Sequence, residues 1–149
     1  MNYVKTAVYI LITCMVLSLV LTYASLMTII GTSKDNTEKV LTSYVTENSI
    51  YIYNSIKNGH DFTHSLNAEY FSDRYLENHT LDFDENYLYN RNSEGGYVYK
   101  LTKPQTDFST KNTLNLTCTY DLHIPVEFAG EKITDLIIPV EVSTSFNLK

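Results

Sequence analysis

The sequence is short of the residues from which catalytic and metal sites are usually assembled. It has no tryptophan, and its two cysteines stand in unlike surroundings, Cys14 in an apolar run and Cys118 in a polar stretch. That excludes a disulfide framework and any cysteine-based zinc spacing. The five glycines form neither a phosphate loop nor a Gly-x-Ser-x-Gly elbow. His60 and His64 are four apart but straddle a predicted turn, and no third ligand accompanies them. His79 and His123 are isolated and read as polar surface residues. Asp82-x-Asp84-x-Asn86 opens like a calcium loop, yet Tyr87 stands where glycine is needed and Ser93 where the bidentate glutamate belongs. It reads as a solvated acidic turn. No pair of carboxylates lies in an apolar setting. The expectation is a non-catalytic protein with no cofactor and no metal.

Charge is missing from one place in particular. From Thr6 to Ser33, 28 positions, no Asp, Glu, Lys or Arg occurs. A helix needs about 20 residues to cross the hydrocarbon layer of a bilayer. The run therefore predicts a transmembrane helix over 1–33, anchored by Val8, Ile10, Leu11, Ile12, Val16, Leu17, Leu19, Val20 and Leu21. The hydroxyls of Thr13, Ser18 and Thr22 can bond the preceding turn, and Tyr3, Tyr9 and Tyr23 lie toward the ends, where aromatic belts form. Thr22-Tyr23-Ala24 resembles a signal-peptidase site, but the apolar stretch is too long for an ordinary signal core. Leu11-Ile12-Thr13-Cys14 has the wrong residue before its cysteine for a lipobox. An entirely apolar buried helix would leave too little chain to cover it.

Beyond the apolar run the chain is acidic. Lys5 and Lys34 lie outside it, so the part from Asp35 onward holds nine basic and 17 acidic residues, a net of −8. Such a surface repels nucleic acid and anionic headgroups. The long polar segment reads as an exported domain, with the N-terminus in the cytoplasm and residues 34–149 extracytoplasmic. Two Asn-x-Ser/Thr sequons, Asn78-His79-Thr80 and Asn115-Leu116-Thr117, are expected by chance in a chain this rich in Asn and Thr.

The helix is expected to continue past the membrane over 34–58, making one helix from about Tyr3 to Asn58. Val40, Leu41, Tyr44, Val45, Ile52 and Ile56 recur at helical spacing with Asn48 interrupting, and Lys57 followed by Gly59 is a C-terminal stop. A short helix is expected over 63–78, capped at Thr63, with Leu66, Tyr70, Phe71 and Tyr75 on one side. Residues 81–149 are expected to form antiparallel strands. Tyr87-Leu88-Tyr89 and Tyr97-Val98-Tyr99 flank a loop ending in Gly95-Gly96, a hairpin signal. Leu114, Leu116, Cys118, Tyr120, Leu122 and Ile124 alternate with polar residues, as in a half-buried strand. Pro125 breaks that pattern, Ala129-Gly130-Glu131-Lys132 reads as a turn, and Ile138, Val140, Val142 and Phe146 alternate on the return. A proline in each arm, Pro125 and Pro139, suggests edges or bulges. Leu41, Val45, Ile52 and Ile56 are expected to pack on Leu116, Tyr120, Ile138 and Val140.

The fold class implied is α+β: a long N-terminal helix, first transmembrane and then an amphipathic spine, carrying a small antiparallel sheet. That order of parts, with Tyr120, Ile124-Pro125-Val126, the Gly130 turn and Ile138-Pro139-Val140-Glu141-Val142, resembles the TadE-like pseudopilins. The resemblance implies a subunit or assembly factor of a tight-adherence, type IV-like pilus at the cell surface. Its partners would be the lipid bilayer and other pilin-like or assembly proteins, in a hetero-oligomeric complex without nucleic acid. A membrane-tethered sensor or binding module, or an accessory subunit of a secretion or envelope complex, is the alternative.

Overall fold

A computed structural model describes residues 2–60, 66, 68–79, 81–110, 113–128 and 131–147. The chain divides into two compact units, Met1–Thr32 and Ser33–Lys149. A single helix, α1 (Asn2–Glu47), contributes to both.

In the first unit α1 is long and apolar enough to span a bilayer, and none of its most apolar stretch is buried in protein. The threonines that would otherwise bring polar groups to this surface turn inward on the backbone. Thr13 donates to the Tyr9 carbonyl at 2.8 Å, Thr22 to Ser18 at 2.9 Å and Thr28 to Ala24 at 2.9 Å. Each hydroxyl is satisfied within its own helix.

The second unit has helical and sheet layers. It begins with residues 33–47 of α1 and continues into α2 (Ser49–Lys57) and α3 (Ala68–His79). The expected unbroken spine is interrupted at Asn48, which has φ −93° and ψ 6°. The Tyr44 carbonyl accepts both the Asn48 backbone N–H at 3.2 Å and the Asn48 side-chain amide at 2.8 Å. This competition for one acceptor loosens a single residue, and Ile52 N–H resumes the ladder on the Asn48 carbonyl at 2.9 Å. The C-terminal stop forms as the sequence suggests. Gly59 adopts φ +68°, His60 N–H reaches the Ser55 carbonyl and Gly59 N–H reaches Ile56, a Schellman arrangement. Helix α3 overlaps the expected region and ends one residue beyond it, at His79; Thr63 and His64 lie outside the described residues.

The sheet is antiparallel and has six strands: β1 (Asp82–Asp84), β2 (Tyr87–Arg91), β3 (Tyr97–Thr102), β4 (Gln105–Thr110), β5 (Thr113–Phe128) and β6 (Glu131–Asn147). Its order is β1-β2-β3-β5-β4, with β6 on the other side of β5. The first half of β5 pairs with β4, and β3 takes over at Leu122 and His123. Asp82 and Asp84, expected in a turn, are strand residues, and the turn is confined to Glu85-Asn86. Glu131 and Lys132, expected in a turn, already pair with Phe128 and Glu127; Ala129 and Gly130 lie outside the described residues.

Strand β5 also runs through Pro125. Pro125 faces Asp135 and Pro139 faces Asp121, pairs four residues apart and hence of the same class in the ladder. One phase of that ladder turns both missing N–H groups away from the β5–β6 seam, so the hairpin tolerates both prolines. A bulge follows at Val126/Glu127 and leaves Ile133 unpaired.

The core lies between the helices and one sheet face. Leu114, Leu116, Cys118, Tyr120, Leu122 and Ile124 of β5 are all buried, as the alternation predicts. Val40, Leu41 and Tyr44 of α1, Ile52 of α2, and Phe71 and Tyr75 of α3 are buried as well, and the Tyr75 ring lies 6.5 Å from that of Tyr120, centroid to centroid. Tyr44 stacks on Phe108 of β4 with ring centroids 5.7 Å apart and meets Phe71 edge-on at 5.9 Å.

Candidate functional site

Three features of the second unit are candidates for function. The first is a buried hydroxyl cluster where α1, α3 and β5 meet. The spacing of Ser33 and Thr37 puts both on one side of α1, four residues apart. Ser33 Oγ lies 2.7 Å from the Tyr120 hydroxyl; Thr37 Oγ1 lies 3.0 Å from the Tyr75 hydroxyl and 3.1 Å from that of Tyr120. Thr37 also donates to the Ser33 carbonyl at 2.8 Å. Burial raises the phenol pKa of both Tyr75 and Tyr120, so neither ionises near neutrality. The cluster satisfies its own polar atoms and ties helix to sheet. Sequence reading placed Ser33 in the anchor; its hydroxyl instead belongs to the folded domain.

The second feature lies on the opposite face of the sheet, where three strands contribute Lys100 (β3), His123 (β5) and Lys132 with Asp135 (β6). Asp135 receives Lys100 at 3.4 Å, Lys132 at 2.9 Å and the Tyr97 hydroxyl at 2.8 Å; Lys132 also donates to Tyr97. Lys100 Nζ stands 4.5 Å from the Tyr87 ring centroid, and Tyr87 meets His123 edge-on at 5.4 Å. Burial pushes the Asp135 carboxyl up, but hydrogen bonds from Lys132 and Tyr97 and the charges of both lysines outweigh it and hold the pKa below its usual value. His123 is lowered by burial and by Lys100, against the opposing pull of Asp135 and Asp121. The result is a fixed ion pair beside a neutral imidazole. It braces three strands, and no single stretch of sequence announces it.

The third is an apolar groove of about 500 Å³ between the helices and the far end of the β5–β6 hairpin. Val45, Ile52, Tyr53 and Ile56 line it opposite Leu114 and Phe146. This is where the expected helix–sheet packing is incomplete. Leu41, Ile52, Leu116, Tyr120 and Val140 are buried, and Val45 and Ile138 are half-buried. Ile56 is 38 % exposed, a departure from its expected packing, because the groove separates it from the sheet.

The anchor residues Val8, Ile10, Leu11, Ile12, Val16, Leu17, Leu19, Val20 and Leu21 all stand more than half exposed. Asp82, weighed as a calcium ligand, instead pairs with Arg91 at 2.6 Å. Among the described residues no group of three or more His, Cys, Asp or Glu is placed to hold a metal ion. Cys118 is fully buried, and burial pushes its thiol up to about 12, which makes it a core residue and a poor nucleophile. Compared with family models, curated proteins and solved structures, the chain matches none.

Proposed function

We propose that this chain is a single-pass, membrane-anchored, non-catalytic subunit of the TadE-like pseudopilin kind, serving in the assembly or structure of a type IV-like pilus. The observation that carries the reading is α1. One helix supplies 28 consecutive uncharged positions and then, from Ser33, the buried residues on which the sheet packs. In this reading the apolar half sits in the bilayer with the N-terminus cytoplasmic. The acidic sheet domain lies on the outer side, with its helix-free face open to partners.

The physics favours a structural role. In hydrocarbon, helices associate through close packing and not through a hydrophobic driving force. An uncharged helix with hydroxyls bonded to its own backbone can slide among similar helices without leaving an unpaired charge. The test is a photocrosslinker replacing Cys14 in the native host. Adducts with other single-pass, pilin-like subunits are the expected result. Adducts exclusively with a multi-pass channel protein would instead favour an accessory subunit of an envelope complex. The mass of the N-terminus in cells then separates a processed filament subunit from an unprocessed assembly factor.

A further inference from the structure

Strand β6 is 17 residues long and, among the described residues, pairs with a strand on one side only. Asp121 shows which of its backbone groups face the open side. The Asp121 N–H donates to Thr102 Oγ1 of β3 at 2.9 Å, so it points away from β6. Pro139, opposite Asp121, therefore turns its own backbone groups outward, and so does every second residue after it. Glu141, Ser143 and Ser145 present their N–H and C=O groups to the open edge, where no described strand receives them.

Open edges invite stray pairing and are normally blunted. The first half of β6 is blunted by the bulge opposite Val126/Glu127, by Lys132 held on Asp135, and by Pro139, which lacks the outward donor. Strand β1, at the other end of the sheet, is three residues long and carries Asp82 and Asp84. From Val140 to Asn147 there is no proline, no bulge and one charge, Glu141. The same stretch borders the apolar groove, where Leu114 and Phe146 form the sheet side opposite Val45, Ile52 and Ile56. On the helix-facing side of β6, Val140 and Val142 are buried but Thr144 and Phe146 are only half-buried. Core cover thus runs out where the edge is least guarded.

A strand laid along 141–147 would bond the outward groups and set every second side chain beside Phe146, on the side of the groove. Charge decides whose strand it is. Across the new seam Glu141 favours a basic neighbour and disfavours an acidic one. The edges of a second copy offer no base. Strands β1 and β4 and the part of β6 beyond Lys132 hold Asp82, Asp84, Asp107, Asp135 and Glu141, and no Lys or Arg.

We propose that residues 141–147 of β6 are a docking edge for an extended segment of a different protein. The segment adds to the sheet as a further strand, with apolar side chains at every second position toward the groove and a basic one opposite Glu141. The edge belongs wholly to the folded domain, so the inference stands or falls separately from the pilus reading.

The outward assignment is tested on the full-length chain in detergent micelles. Amide exchange should be fast at Glu141, Ser143 and Ser145 and slow at Val142 and Thr144. Ser143→Pro deletes an outward N–H and should melt with Ser143→Ala, whereas Thr144→Pro deletes a bond to β5 and should melt far lower. Protection of the three outward amides, or unfolding by Ser143→Pro, overturns the assignment and the proposal with it. Docking is tested in the native host with a photocrosslinker replacing Ser143 or Ser145. The expected adducts lie in one segment of one partner, two residues apart, the spacing of a strand face. Ser143→Pro should abolish the adduct formed from position 145, and Ser143→Ala should keep it. Adducts scattered over a partner, adducts that survive Ser143→Pro, or no adduct at all overturn the proposal. Adducts between two copies also overturn it and assign the edge to self-association.

Discussion

Ser33 and Tyr120 are 87 residues apart in sequence, and their hydroxyls lie 2.7 Å apart in the interior, shared with Thr37 and Tyr75. This bond joins the first turn of helix in the folded domain to the middle of its longest buried strand face. A buried hydroxyl that loses its partner costs about 1–3 kcal/mol, whereas removing both partners costs less. Tyr120→Phe, which strips a partner from both Ser33 and Thr37, should therefore destabilise the domain by about 1–2 kcal/mol. Ser33→Ala added to it should cost much less than its effect in the wild-type background. Urea titration of the four chains in the same detergent gives the coupling, and strict additivity would show that the bond is not formed.

The same cluster shows what sequence can and cannot supply. The period-two pattern from Leu114 to Ile124 sufficed to place β5 and its buried face, because burial of one strand face is a local property. The Lys57–Gly59 stop was likewise legible, since only a left-handed residue closes that turn. The hydroxyl cluster was not. Ser33 and Thr37 look like the polar end of an anchor until Tyr120 is brought to them by the fold. Asp135 was equally silent, because its contacts with Lys100 and Tyr97 depend on strand register. Strand β4 carries mostly exposed or half-buried residues and showed no clear alternation, so it was covered only by the broad expectation of strands over 81–149.

The pH dependence of stability should carry the mark of His123. Its folded pKa lies below the ordinary 6.5, so the fold favours the neutral ring. That contribution is complete above pH 6.5 and is lost as pH falls through the folded value. Asp135 acts similarly at lower pH: its depressed pKa contributes stability above the usual carboxylate value, which is lost on further acidification. The denaturation midpoint should thus fall from pH 7 toward 5, and His123→Gln should flatten that limb without removing the more acidic one. Asp135→Asn should weaken the fold at pH 7 and reduce the acidic limb. An unchanged profile in His123→Gln would show that the imidazole is not responsible.

Alkaline conditions test the tyrosines. The raised pKa values of Tyr75 and Tyr120 mean that the folded chain holds protons the unfolded chain releases above about pH 10. Stability should be level from about pH 7 up to that point and decline as pH rises further. Spectrophotometric titration at 295 nm should show a fraction of the 13 tyrosines ionising only together with unfolding, a fraction reduced in Tyr75→Phe.

Cys118 should be chemically silent in the native domain. Its side chain is fully buried and its thiol is pushed up to about 12, so almost none of it is thiolate at pH 8. With Cys14 replaced by serine, a thiol reagent should label the chain slowly in buffer and rapidly once denaturant opens the sheet. Rapid labelling under native conditions would contradict the burial of β5.

Asn48 offers a test of helix continuity. Its side chain takes the Tyr44 carbonyl at 2.8 Å and competes there with its own backbone N–H at 3.2 Å. Replacing it with alanine removes the competitor and introduces the best helix former, a change worth about 0.5 kcal/mol in a helix interior. Asn48→Ala should therefore merge α1 and α2 into one uninterrupted helix, raise the ellipticity at 222 nm slightly and increase stability by about that amount. If the interruption instead serves to angle α2 over the groove lined by Ile52, Tyr53 and Ile56, straightening it would draw those side chains away from Leu114 and Phe146. The substitution would then destabilise the domain, so the sign of the change separates a local accident of backbone competition from a bend that the packing requires.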